Sequence, residues 1–374
     1  MKAIGTMMRL SIVLLAFMIA GCAAPLQVKE RYFWPPAPDT PRVEWLGAYQ
    51  NSINLKESSG VWNAIVGENE GYSLDVPLFV ASNGAGKVYV SDLKVGTFLV
   101  FDFNAREVHA LGKAKGANLF EHPSGVALDA DGNIYAADLK QKKIFVFSSD
   151  ETPKGVLDIS DKVESIGAIA VDKVRKKIIV PDIKGHKIVA IDLTGALLWS
   201  VGKRGIGGDE FNYPTSAAVD KEGNIIVCDS MNARIVRLTP EGKPLSFFGE
   251  RGDGPGSFAM IKAVAVDSSG HIYVTDGKSS RVAIFNEKGD VLLNVGYLHV
   301  KRDNLVAPGG FNMPQGIYID DKDAIYVVDQ HNARFQVFQY MSEQYLKEHP
   351  ITADAPAAKP SKAPVDLPAG VGKK

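Results

Sequence analysis

Along most of this chain, apolar and polar positions fall into short runs that close on an aspartate. Residues 88–92, 134–138, 178–182, 225–229, 272–276 and 325–329 are six such runs, apolar or small up to the final carboxylate. That length and pattern fit a buried strand better than a helix. Ahead of most of them lies another short apolar run that itself ends on Asp129, Asp220, Asp267 or Asp320. Turn residues such as Ala130-Asp-Gly-Asn133 and Lys221-Glu-Gly-Asn224 join the two. These are hairpin connections with the right turn chemistry. A third run follows the closing aspartate, and a fourth follows a glycine turn at Gly195, Gly242 or Gly289.

The unit of four strands recurs. Its anchors Asp92, Asp138, Asp182, Asp229, Asp276 and Asp329 stand 44 to 53 residues apart. Asp229-Ser-Met-Asn-Ala-Arg234 is nearly copied by Asp329-Gln-His-Asn-Ala-Arg334. Five copies carry a basic residue five places after the anchor (Lys143, Lys187, Arg234, Arg281, Arg334), and Thr97 fills that place in the first. A period of this size means blades or solenoid coils. The sixth copy lacks its fourth strand, because Ser342-Glu-Gln-Tyr-Leu-Lys-Glu-His-Pro350 reads as a helical turn ended by proline. An orphan strand, Val43-Glu-Trp-Leu-Gly47, stands upstream of the first copy. A ring needs that arrangement, whereas a solenoid needs caps at both ends. The expected fold is all-β: a six-bladed β-propeller of four-stranded blades over residues 43–345, closed by the N-terminal strand at about 43–47.

Pro-x-Gly-Val-Ala-Leu-Asp at 123–129, the Ile-Tyr-Val-x-Asp endings, Asp-x-x-Asn-x-Arg-Ile at 229–235, and the Gly254-Pro-Gly-Ser-Phe258 and Gly310-Phe-Asn-Met-Pro314 entries resemble the NHL-repeat family of propellers. The resemblance covers about residues 43–340. Copy three departs from it, with Ile166 in place of proline and one extra residue in the turn at 173–177.

Lys2 and Arg9 precede an apolar stretch, 10–20, too short to span a bilayer comfortably, as in an export signal. It ends in Ile19-Ala20-Gly21-Cys22, which resembles a bacterial lipobox. The resemblance implies cleavage after residue 21 and acylation of Cys22, hence a membrane-anchored lipoprotein of the cell envelope. Ala23 after the cysteine implies the outer membrane, with the domain facing the periplasm or the surface. Residues 22–42 contain Pro35, Pro36, Pro38 and Pro41 and read as a tether. Tyr32, Phe33 and Trp34 within it would touch lipid headgroups or pack on the domain. Residues 346–374, rich in Ala, Pro and Lys, read as a disordered tail. The net charge of −1 gives no electrostatic basis for binding nucleic acid. Cys228, the other cysteine, reads as a buried small side chain.

The anchor aspartates repeat in every blade, so they are expected to hold the fold rather than to act on a ligand. Function is expected where the copies differ. The two longest connections, 47–76 and 296–313, flank blade six on one rim. They carry Trp62, Tyr72, Tyr297, His299, Lys301 and Arg302, with His331 facing the same way. The expected role is a non-catalytic binding scaffold for a protein or glycan, with no cofactor. The alternative is a periplasmic metal-dependent lyase or hydrolase holding Zn or Ca at His122, His186 and His331 in the channel. On the innermost strands Ala81, Ala127, Ala170, Ala218 and Ala265 occupy one repeat position and Tyr318 the sixth, so Tyr318 and Phe79 are expected to plug the channel off-centre.

Overall fold

The computed structural model describes residues 31–55, 71–112, 119–301 and 307–351. From Tyr32 to Ile351 the chain forms one compact unit. Five four-stranded antiparallel sheets follow in order, and a sixth, five-stranded sheet combines both ends of the unit. The blades start at Pro77, Pro123, Ala170, Pro214, Ile261 and Pro314, and strand order in each runs from the axis outward. The ring closes as the spacing predicts. Val43–Tyr49 pairs antiparallel with Arg334–Tyr340, setting Trp45 opposite Phe338 and Tyr49 opposite Phe335. The Trp45 indole also donates to Gln336 Oε1 at 3.0 Å, across 291 residues of sequence.

The closing blade has a strand beyond those expected. Tyr32–Trp34 pairs with Val43–Tyr49, so residues 32–42 belong to the propeller and not to a free tether. Tyr32 packs edge-on against Trp45 at 5.9 Å, and Trp34 packs edge-on against Phe338 at 5.7 Å. The prolines follow this strand, in the connection to Val43–Tyr49, where no ladder needs their missing N–H. The short helix Glu343–Glu348, capped by the Ser342 hydroxyl, ends the unit, and its Tyr345 hydroxyl donates to Glu44.

The core lies between the blades. Among the described residues it divides into six apolar clusters, one for each interface between neighbouring blades. Ile144 of blade two meets Ile178 and Val189 of blade three, for example, and Phe101 of blade one meets Phe335 of blade six. The near-continuous apolar runs read in the sequence give both faces of each sheet an apolar set, since each sheet is packed on two sides. Cys228 is one of these buried side chains, and burial pushes its thiol up to about 12.

Chain direction fixes which loops share a face. Innermost strands run from the upper face to the lower, so the turns at Asp129, Asp172, Asp220, Asp267 and Asp320 lie below. The anchor aspartates, the turns that follow them and the connections between blades lie above.

Candidate functional site

All six anchor aspartates are fully buried. In blades one and two the carboxylate gathers backbone N–H groups from the connection before the blade and from the turn after it. Asp92 accepts from Asp75, Val76, Lys94 and Val95, and Asp138 from Glu121, His122, Lys140 and Gln141. In blades four and six an arginine takes over part of this. Arg234 Nε donates to Asp229 at 2.8 Å, and its remaining nitrogens reach the carbonyls of Ile206, Gly207 and Glu210. Arg334 likewise holds Asp329 at 2.7 Å and the Gly310 carbonyl at 2.7 Å. Lys143 departs from the pattern: it faces Asp158 on the outer strand at 3.9 Å. Each anchor thus fastens one upper connection to its blade, which is a structural task repeated six times.

A second aspartate set, whose role the spacing did not disclose, works below. Asp129, Asp220, Asp267 and Asp320 accept the N–H groups of their own tight turns. Tyr135, Tyr273 and Tyr326, six residues on, add a buried hydroxyl to three of them. Asn133 and Asn224 complete two turns, and His271 takes the same position in blade five, its Nδ1 lying 2.8 Å from Asp267. That bond raises the His271 pKa above its ordinary value, against the opposing effect of burial.

Of the residues expected on the upper rim, Trp62 and Arg302 lie outside the described residues. Tyr72 is exposed, as is His331. Tyr297–Leu298 forms a parallel pair with Gly310–Phe311, which anchors this connection to itself. Polar groups of residues 299 and 301 are bonded to neighbouring elements. The Asn332 side chain accepts from Lys301 N–H and donates to the His299 carbonyl, and Lys301 Nζ reaches Gln50 at 2.7 Å. Burial, and after it the charge of Arg334, lowers the Lys301 pKa. Tyr297, His299 and Lys301 are therefore half-buried, while the residues between and beside them, Leu298 and Val300, are 67% and 49% exposed. Ile206, Tyr213, Met231, Met260, Leu93 and Ile53 are further exposed apolar side chains on connections and turns of this face. Sequence reasoning passed over them because it sought polar and aromatic residues.

The histidines considered for a metal do not assemble. Among the described residues no three His, Cys, Asp or Glu side chains are grouped to hold an ion. His186 accepts the Tyr213 N–H at Nδ1 and packs edge-on against that ring at 4.7 Å. His122 and His331 stand exposed on other blades.

The axis is pinched above and open below. In the upper half adjacent blades touch: Ala168 N–H donates to the Thr215 carbonyl at 2.9 Å, the Thr215 hydroxyl reaches the Lys262 carbonyl, and Thr275, on a second strand, reaches the Gln315 carbonyl. A Cβ on Gly125 or Gly316 would stand 2.6 Å from a neighbouring strand's backbone. In the lower half a cavity of about 520 Å³ extends from Phe79, Ala168 and Ser216 down to the turns. Phe79 and Tyr318 line it without filling it.

The NHL repeat model matches residues 211–238, 258–285 and 311–338, which lie in blades four, five and six and the connections that lead into them. The chain is thus a six-bladed β-propeller whose last three blades carry matched NHL repeats. A comparison with curated proteins finds no match. Solved structures of similar fold include a protein of unknown function from Bacteroides thetaiotaomicron, with TM-score 0.57 and 17% identity over 71% of this chain and 70% of that one. An auxiliary nutrient binding protein from the same organism gives TM-score 0.54 and 11% identity over 72% and 70%. A Staphylococcus aureus virginiamycin B lyase solved with quinupristin gives 0.51 and 12% over 71% and 94%. At these identities the likeness is one of fold.

Proposed function

We propose that this propeller is a non-catalytic binding scaffold of the bacterial cell envelope, anchored through an acylated Cys22, and that its upper face holds a protein partner. The observation that carries this is the apolar exposure on that face. Leu298 and Val300 project from a stretch whose Lys301 and His299 carbonyl are bonded to Asn332 and Gln50, with Ile206 and Met231 exposed on the same side of the disc. Exposed apolar side chains on a rigid rim mark contact sites for other proteins. A glycan would call instead for outward polar groups, and Lys301 spends its own on Gln50 and Asn332. Nothing in the described geometry favours the lyase reading, because its histidines are separate and His186 is already engaged.

A photo-crosslinking side chain placed at Leu298, in cells, tests the reading against the same group at Leu198 on an outer strand. A discrete adduct at Leu298, absent at Leu198 and lost on adding Val300→Asp, is expected. Identical adducts at both positions would end it. Cys22→Ser is expected to release the chain from the membrane fraction; retention there would remove the anchor from the proposal.

A further inference from the structure

The cavity on the lower half of the axis has a mouth of unusual make-up. In four of the blades the first residue after the inner strand's turn position borders it: Lys173, Lys221, Ser268 and Asp321. Lys173 belongs to blade three and Asp321 to blade six, on opposite sides of a six-membered ring. Yet Lys173 Nζ lies 2.9 Å from both oxygens of Asp321. The ion pair therefore crosses the mouth. The turn of blade three is the one with the extra residue, which gives Lys173 its reach.

Beneath this strap the walls are apolar. Ala127, Ala170, Ala218 and Ala265 line the cavity where larger side chains would fill it, together with valines and isoleucines of the inner strands. Two polar side chains interrupt them, Tyr318 and Ser216, the latter's hydroxyl accepting the Val264 N–H. A concave space of this volume, apolar in its depth and polar at its mouth, is the form taken by small-molecule sites.

Charge at the mouth selects among such molecules. The carboxylates of Asp172, Asp220, Asp267 and Asp320 are already held by N–H groups of their own turns. Asp321 alone among the lining carboxylates has the strap as its partner, and with a side chain 86% exposed it can turn to water at little cost. Lys173 is 33% exposed and leans over the opening, whereas Arg175 is held by Asp172 and the Glu222 carbonyl and Lys221 lies near Glu222. A ligand carboxylate entering the mouth would replace that of Asp321 on Lys173.

From these features we infer that the lower axial cavity binds a small amphipathic carboxylate, its apolar body among the alanines and its acid group on Lys173 in the place of Asp321. The site lies on the face opposite the proposed protein rim and does not depend on it.

Titration of the full chain with anilinonaphthalene sulfonate, an apolar anion that fluoresces when desolvated, gives the readout. One saturable site per chain is expected, with octanoate displacing the dye at lower concentration than octanol or octylamine. Lys173→Ala is expected to weaken octanoate about tenfold, the worth of one charge-assisted hydrogen bond. Asp321→Ala breaks the same strap yet is expected to strengthen octanoate, since it frees the cation. Ala218→Phe, filling the cavity, is expected to abolish binding. Equal competition by octanol or octylamine would overturn the inference, as would Lys173→Ala and Asp321→Ala shifting octanoate in the same direction. Both substitutions are at the surface, so the comparison holds even if Ala218→Phe fails to fold.

Discussion

At the scale of single residues, the buried carboxylates divide the work of holding the ring. Asp329 stands between Arg334, Asn332 and the Asn312 N–H with no exposure to water. Removing it leaves a buried guanidinium without its counter-charge, a loss of about 3–5 kcal/mol. Asp329→Ala should therefore melt well below the parent in a thermal scan monitored by circular dichroism, and an unchanged midpoint would refute the fastening role. His271 gives a gentler, pH-dependent prediction. Its folded pKa is raised by Asp267, so its stabilising contribution is complete below the ordinary histidine value. That contribution is lost as pH rises through the folded value. The midpoint should fall by about 1–2 °C between pH 6 and pH 9 on this account. His271→Asn, which copies Asn133 and Asn224, should flatten that fall while keeping the bond.

At the scale of elements, the added edge strand is the feature least legible beforehand. Four prolines between residues 35 and 41 read as a spacer, yet Tyr32, Phe33 and Trp34 precede them and suffice for a three-residue strand. Proline excludes helix and inner strand, but leaves outermost pairing open, and only the fold could show a free edge in blade six. Trp34 seats its ring against Gly309, where a Cβ would lie 2.4 Å from the indole. Trp34→Ala should cost about 2–3 kcal/mol, less than a fully enclosed tryptophan. Urea denaturation can check this, and a loss below half a unit would mean the strand merely rests on the blade. The main strands were legible because a five- or six-residue apolar run closed by an aspartate is a local signal. The inward turn of Lys301 and His299 was not, because it depends on Asn332 and Gln50, which reach them only after the ring has formed.

At the scale of the whole molecule, what could be read was the count: six anchors, one missing strand, one spare. The arithmetic of repeats led to the right ring. The lower cavity was legible only in fragments. The recurring alanines and the exception at Tyr318 marked an axial space, but the pairing of Lys173 with Asp321, 148 residues apart, needs the ring to bring opposite blades together. The geometry also predicts that connectivity is dispensable where adjacency is kept. A permuted chain carrying residues 32–49 after Ser342 instead of before Gln50 should refold with a midpoint within a few degrees of the parent. Failure to refold would show that the order of the strands, and not their pairing, secures the ring.

Because Val43–Tyr49 has no place to settle until Arg334–Tyr340 exists, a chain made or exported from its amino end carries an unfinished ring for most of its passage. Blade after blade can stack meanwhile, but blade six offers bare backbone along Arg334–Tyr340 until its mate returns from the far end. Any similar β segment nearby, including the same segment of a second chain, could take that berth first. The latch that makes a disc of this polypeptide is thus also the place where two newborn copies could become entangled.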